Sequence, residues 1–133
     1  MVNDRICIVC FLDNYDNVGC YKDRSYPRAI ASLEGTDSIL DGHYKSRKNA
    51  IGKCVVAAIR AGHSMFALQD GGWCAASATA HSTFDKYGIS TLCKADGEGA
   101  GWSNQVYTIK GEWNFRCLTR ISHIRLFVLL VVL

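Results

Sequence analysis

The chain of 133 residues has room for one domain. Its formal charge of +3 is too small, and its basic residues too interleaved with acids, to form the basic stripe of a nucleic-acid binder. Seven cysteines, twelve glycines and one proline in so short a chain favour an oxidising compartment and a small disulfide-stapled module, and the odd cysteine count leaves at least one thiol unpaired within it.

In chain order, residues 1–17 read as an extension outside the module. An apolar patch runs from Ile6 to Leu12, but a secretory signal needs a longer apolar core and a small-residue cleavage site, and neither is evident. The Cys7-x-x-Cys10 spacing has the form of half a zinc or redox motif, with no second pair of ligands offered, so no metal is expected. Val18 to Lys22 is a short strand whose Cys20 points opposite to Gly19 and Tyr21. Asp23 to Tyr44 is rich in turn formers and lacks periodicity, the pattern of a long ordered loop. Ile51, Cys54, Val55 and Ala58 fall on one helical face, with Ser46 or Asn49 as the N-cap and Gly62 as the terminating C′ residue.

Met65 to Gln69 alternates as a strand, with Phe66 and Leu68 on one face and Met65, Ala67 and Gln69 on the other. Asp70-Gly71-Gly72 is a turn that brings Trp73 and Cys74 into the next strand, so Cys74 comes within reach of a helix packed on the same sheet. A Cys54–Cys74 bridge would pin that helix to the strands and contribute about 3 kcal/mol by loop closure. Ser77 or Thr79 can cap a second helix carrying Ala80, Phe84 and Tyr87 and ending at Gly88. Cys93 lies in a short extended piece, Asp96 to Gly101 is a glycine-rich loop, and Trp102 to Ile109 is a strand with Val106 and Tyr107 on opposite faces. The fold expected is α+β: a small antiparallel sheet with two short helices, stapled by disulfides, over residues 18–110.

Residues 111–133 form a second extension. Leu126 to Leu133 is uninterrupted hydrocarbon, less than half of the ~20 residues a spanning helix needs, with Arg116, Arg120 and Arg125 before it. It reads as a truncated membrane anchor, a final core strand, or translated sequence belonging to no folded unit; truncation or a gene-model end is the favoured expectation. Membrane association is expected only if the run is such an anchor.

The order GCYKD (Gly19 to Asp23), a helix cysteine (Cys54), AGxxxFALQxGGxC (Ala61 to Cys74), KYG (Lys86 to Gly88), Cys93 and WSNQVY (Trp102 to Tyr107) resembles the WSC domain, a small extracellular cysteine-rich module regarded as a carbohydrate binder. The resemblance spans Val18 to Ile109. It implies bridges Cys20–Cys93 and Cys54–Cys74, two of the four usual in the family. The second helix cysteine is missing and Ala76 stands where the second cysteine of a C-x-C strand is usual. Cys7, Cys10 and Cys117 are expected outside the module, and the whole is expected at the cell surface or outside the cell as a monomeric module.

Candidate chemistry is sparse. His43, His63, His81 and His123 have no cysteine nucleophile to activate, the nearest ones being assigned to bridges. Glu34, Asp37 and Asp41 match no EF-hand spacing, and the acidic Asp96–Gly99 loop lacks the lysine and Ser/Thr of a phosphate loop. Binding is the stronger expectation, because an aromatic ring covers the apolar face of a sugar while neighbouring amides and acids take its hydroxyls. Gln69, Asp70 and Trp73 surround one turn, while Trp102 and Asn104 open the last strand. If both turns share an edge of the sheet, they form a shallow cleft with a tryptophan on each side. The expected function is non-catalytic binding of carbohydrate or glycoprotein, without cofactor. The alternatives are a structural or protein-interaction module of a matrix or receptor protein, and more remotely a small hydrolase using His63 or His81.

Overall fold

The structure, a computed structural model, describes residues 14–110, 114–121 and 124–131, the last two segments by their backbone alone. Strands β1 (Tyr15–Lys22), β2 (Met65–Gln69), β3 (Trp73–Ala76) and β4 (Ser103–Ile109) form one antiparallel sheet in the order β1-β4-β2-β3. Helices α1 (Ala50–Arg60) and α2 (Ala80–Thr83) complete an α+β fold. Strand β5 (Asn114–Ile121) pairs antiparallel with β6 (Ile124–Val131), which contains most of the C-terminal apolar run. No helix among the described residues is long and apolar enough to cross a membrane. Cys7 and Cys10 lie outside the described residues, and Cys117 is described by its backbone only.

Both faces of the sheet are covered, so the alternation along β2 sorts two cores rather than separating core from solvent. Phe66 and Leu68 face α1, joining Cys54, Val55 and Ala58 with Tyr107 of β4. Met65 and Ala67 face the other way, onto Ile30, Ala80 and Val106, with Phe84 and Tyr21 at the margin. Register carries the division across strands: Phe66 pairs with Tyr107 and Ala67 with Val106. Phe66 stacks on Tyr107 at 5.1 Å between centroids, and Tyr15 packs edge-on against both rings. Phe66 is completely buried, so its truncation to alanine would cost about 3–5 kcal/mol.

The helix ends differ in how closely they follow expectation. Gly62 takes φ +80 and terminates α1, with Gly62 N–H donating to Ile59 O and His63 N–H to Ala58 O, the paired bonds of a Schellman motif. At the other end Asn49 occupies the N-cap position, but its backbone is left-handed (φ 51) and its side chain makes no capping bond; Ser46 instead ends a 3-10 turn. Helix α2 is only four residues long before the chain breaks into turns, and neither Ser77 nor Thr79 caps it through its side chain. The reason is tertiary: Phe84 and Tyr87 are drawn onto Tyr21 and the Pro27 carbonyl rather than onto a continuing helical face. Strand β1 starts at Tyr15, three residues before Val18, because its pairing with β4 runs on to Ile109.

Two disulfides staple the fold, Cys20–Cys93 and Cys54–Cys74. With sequence separations of 73 and 20 residues, their closed loops contribute about 4 and about 3 kcal/mol respectively in the chain-entropy picture. Such bonds persist in oxidising compartments.

The long segment between β1 and α1 is held by charge. Arg47, its side chain only 1 % exposed, donates to both Glu34 carboxylate oxygens at 2.7 and 2.9 Å, and to the carbonyls of Gly72 and Leu40. Glu34 Oε1 also accepts from the Cys74 amide at 2.8 Å. Asp37 accepts from Ile39 N–H and Arg60. Two of the three acidic residues considered for calcium are therefore occupied by partners of this chain.

Tyr107 sits near the acidic loop, its hydroxyl donating to Gly97 O at 2.6 Å. Burial first, then Tyr15, Asp96 and Glu98, pushes its pKa from 10.0 up to about 12. Burial and the neighbouring Asp96 also raise the Glu98 carboxyl.

Two outcomes are expected. Glu34→Gln leaves the buried Arg47 guanidinium without its counter-charge and lowers stability by about 3 kcal/mol, read as a shifted urea midpoint with an unchanged slope. For Tyr107 the folded state holds the proton more tightly than the unfolded one. Its contribution is therefore complete below pH 10 and lost as pH rises toward 12. Tyr107→Phe should flatten that part of the stability–pH curve.

Candidate functional site

The five residues expected to bind ligand come together at one end of the sheet, and a buried polar cluster joins three of their neighbourhoods. Gln69 ends β2 and Asn104 lies beside it in β4, both buried. Gln69 Nε2 donates to Asp23 Oδ2 at 2.8 Å and to Asn104 Oδ1 at 2.9 Å. Asp23, 6 % exposed, accepts from the Ala29 amide at 2.8 Å and from Arg28 Nη1 at 2.9 Å. A carboxylate buried this far requires such a set of donors, and Arg28 supplies the compensating charge.

Arg28 also corrects the expectation of an open cleft between two tryptophans. Its guanidinium carbon stands 5.1 Å from the Trp73 ring centroid and 5.5 Å from that of Trp102, so the cation is shared by both indoles. Cation–π attraction on two rings, added to the ion pair with Asp23, keeps it there. Trp73 packs edge-on against Tyr44 at 5.1 Å. Its Nε1, like Nδ2 of Asn104, is buried without a protein acceptor. Asp70 takes a left-handed backbone (φ 51) and accepts from Tyr44 Oη at 3.1 Å, with Lys45 Nζ at 3.3 Å. These contacts engage Gln69, Asp70 and Trp73 with partners of this chain.

Trp102 is different. It is 52 % exposed, with φ 55, in the Ala100–Ser103 turn, which closes through reciprocal backbone bonds of 3.1 Å. That backbone conformation suits glycine and is strained for a large side chain. The turn is clamped from outside: Trp102 O accepts from Asp23 N–H at 2.9 Å. Gly99 packs so closely below it that a Cβ there would come within 2.6 Å of Ser103 O.

Trp102 walls an open groove of about 620 Å³ bounded by Lys22, Arg24, Tyr87, Ile89 and Leu92. Ile89 and Leu92 are 74 and 66 % exposed. Three pieces of chain frame the groove: the end of β1, the 87–92 segment and the 100–103 turn. Lys22 N–H donates to Gly88 O and Ser90 N–H to Cys20 O, while the Cys20–Cys93 bridge ties the far end of the 87–92 segment to β1. Ser90 and Ser103 share a buried hydroxyl bond of 2.7 Å beneath it. Sequence reading missed this wall. Its signal was the pair Ile89 and Leu92 in a segment with no helical or strand period, where apolar side chains have no core to enter.

Among the described residues no histidine lines the groove. His81 Nε2 and Ser64 Oγ are 2.8 Å apart on an exposed surface, and His43 Nδ1 accepts from the Lys45 amide. Among the described residues no group of three His, Cys, Asp or Glu side chains could hold a metal ion.

Asp23→Ala should leave Arg28 and Gln69 without their shared acceptor, lowering stability by about 2–3 kcal/mol. It should also release Arg28 from the two indoles, changing the near-ultraviolet dichroism of the folded protein. Compared with known proteins, the chain matches no family model, no curated protein and no solved structure.

Proposed function

We propose that this chain is a WSC-like module that binds carbohydrate or glycoprotein without catalysing a reaction, in a secreted or cell-surface protein. One observation carries the reading: Trp102 is half-exposed in a backbone conformation that costs a non-glycine residue of order 1 kcal/mol or more. Stability alone would favour glycine there. A flat indole presented on the wall of an open groove, with the Thr91 side chain nearby, is what stacking against a pyranose ring needs. The paired cysteines support the reading independently, since both bridges the family resemblance implies, Cys20–Cys93 and Cys54–Cys74, are formed.

Within this reading Trp102 is the residue that meets ligand. Gln69, Asp70, Trp73 and Asn104 hold the frame behind it: the amides and Asp23 fix Arg28, and Arg28 backs the indole. The runner-up, a protein-interaction module without sugar specificity, draws support from the exposed Ile89, Leu92 and Tyr26 side chains.

Trp102→Gly separates binding from folding. Glycine accepts φ 55 without strain, so the variant should keep its stability within about 1 kcal/mol. On a glycan array it should lose signal by about tenfold or more, while Trp102→Phe retains part of it. A glycan array blank for the parent protein would overturn the sugar reading and favour the protein-interaction one.

A further inference from the structure

The groove beside Trp102 has a charge that sugar binding by itself does not call for. Lys22 and Arg24 both line it, and neither forms an ion pair among the described residues. Arg24 lies 4.4 Å from the Tyr87 ring centroid, and Lys86 Nζ lies 5.1 Å from the same ring. Tyr87 thus carries two cations at one margin of the groove. The lining carboxylate, Asp23, is buried and already neutralised by Arg28, so it does not offset them. A concave site with unpaired cations and low-dielectric aromatic walls concentrates anions.

We propose that the groove selects an acidic oligosaccharide, one whose pyranose units bear carboxylate or sulfate groups. The inference rests on the carbohydrate reading and adds the ligand's charge to it. The apolar face of one ring lies on Trp102, and its anionic substituents meet Lys22 and Arg24, where charge-assisted hydrogen bonds are stronger than those to neutral hydroxyls. A volume of about 620 Å³ is within the usual range of small-ligand sites, which fits a short oligosaccharide segment. Of the polyanions available to a small basic surface, a sugar is favoured over an acidic peptide because the exposed wall includes a flat indole rather than cations alone.

The test is calorimetric titration of the intact, disulfide-formed chain with four probes: an oligogalacturonate, a heparin-derived oligosaccharide, a neutral cello-oligosaccharide of matched length, and polyglutamate. At least one acidic sugar should bind about tenfold more tightly than the neutral one, with an affinity that falls as salt is raised. The double substitution K22Q/R24Q should remove that advantage without lowering the thermal midpoint, and Trp102→Gly should abolish binding of acidic and neutral sugars alike. Equal affinity for the neutral sugar, unchanged in K22Q/R24Q, would overturn the acidic preference and leave the carbohydrate reading standing. Polyglutamate binding as tightly as the acidic sugars would overturn it in favour of charge recognition alone. Binding of no sugar at all would sink both.

Discussion

A guanidinium with almost no solvent contact must be surrounded by acceptors and balanced by a negative charge, and Arg47 meets both needs inside this small fold. Its two terminal nitrogens donate to Glu34 and the Leu40 carbonyl of the long loop and to the Gly72 carbonyl of the turn before β3, while its Nε is buried without a partner. Glu34 in turn accepts from the amide of Cys74, the residue that carries the bridge to α1. One charged pair thus connects the long loop, the turn before β3 and the helix–sheet staple. Together with the buried side chains of Ile30, Leu33 and Leu40, that connection gives the loop a fixed course over the sheet.

The consequence reaches the end of the sheet that carries both tryptophans. The Asp70–Gly72 turn, fixed below by Arg47, is fixed above by Asp70 N–H donating to Ala100 O and Gly71 N–H to Glu98 O. The turn that presents Trp102 is therefore built on the turn that presents Trp73. Arg28 lies against both indoles and Asp23 holds Arg28, so the cluster behind Trp102 is tied together by an ion pair and by the Gln69 amide. An aromatic supported in this way would lose little conformational freedom on meeting the proposed ligand. The second bridge, Cys20–Cys93, tethers the 87–92 wall to β1 as Arg47 tethers the loop to the turn before β3.

The elements that follow a simple apolar period were legible in the chain. The alternation in Met65–Gln69 named its two faces, and Gly62 named the end of α1, because both depend on local geometry that any fold would have to respect. The local rules failed where long-range contacts competed with them. Asn49 could have capped α1 but is left-handed instead, and α2 unwinds after four residues because Phe84 and Tyr87 find partners elsewhere. The five candidate residues were found by type; Gln69 and Asn104 are buried, Asp70 and Trp73 partly buried, and Trp102 exposed.

By itself the sequence determined a disulfide-stapled α+β module with a five-residue alternating strand at its centre and aromatic residues at two glycine turns, since periodicity, turn chemistry and cysteine content are written locally. Only the tertiary structure decided that Arg28 stands between the tryptophans, that Trp102 faces a groove, and that Lys22, Arg24 and Ile89 border it. Those are contacts between positions up to about eighty residues apart in sequence, from β1 to the 100–103 turn. Their partners are chosen by burial and charge balance, and no local spacing in a single chain encodes which distant side chain will satisfy a buried one.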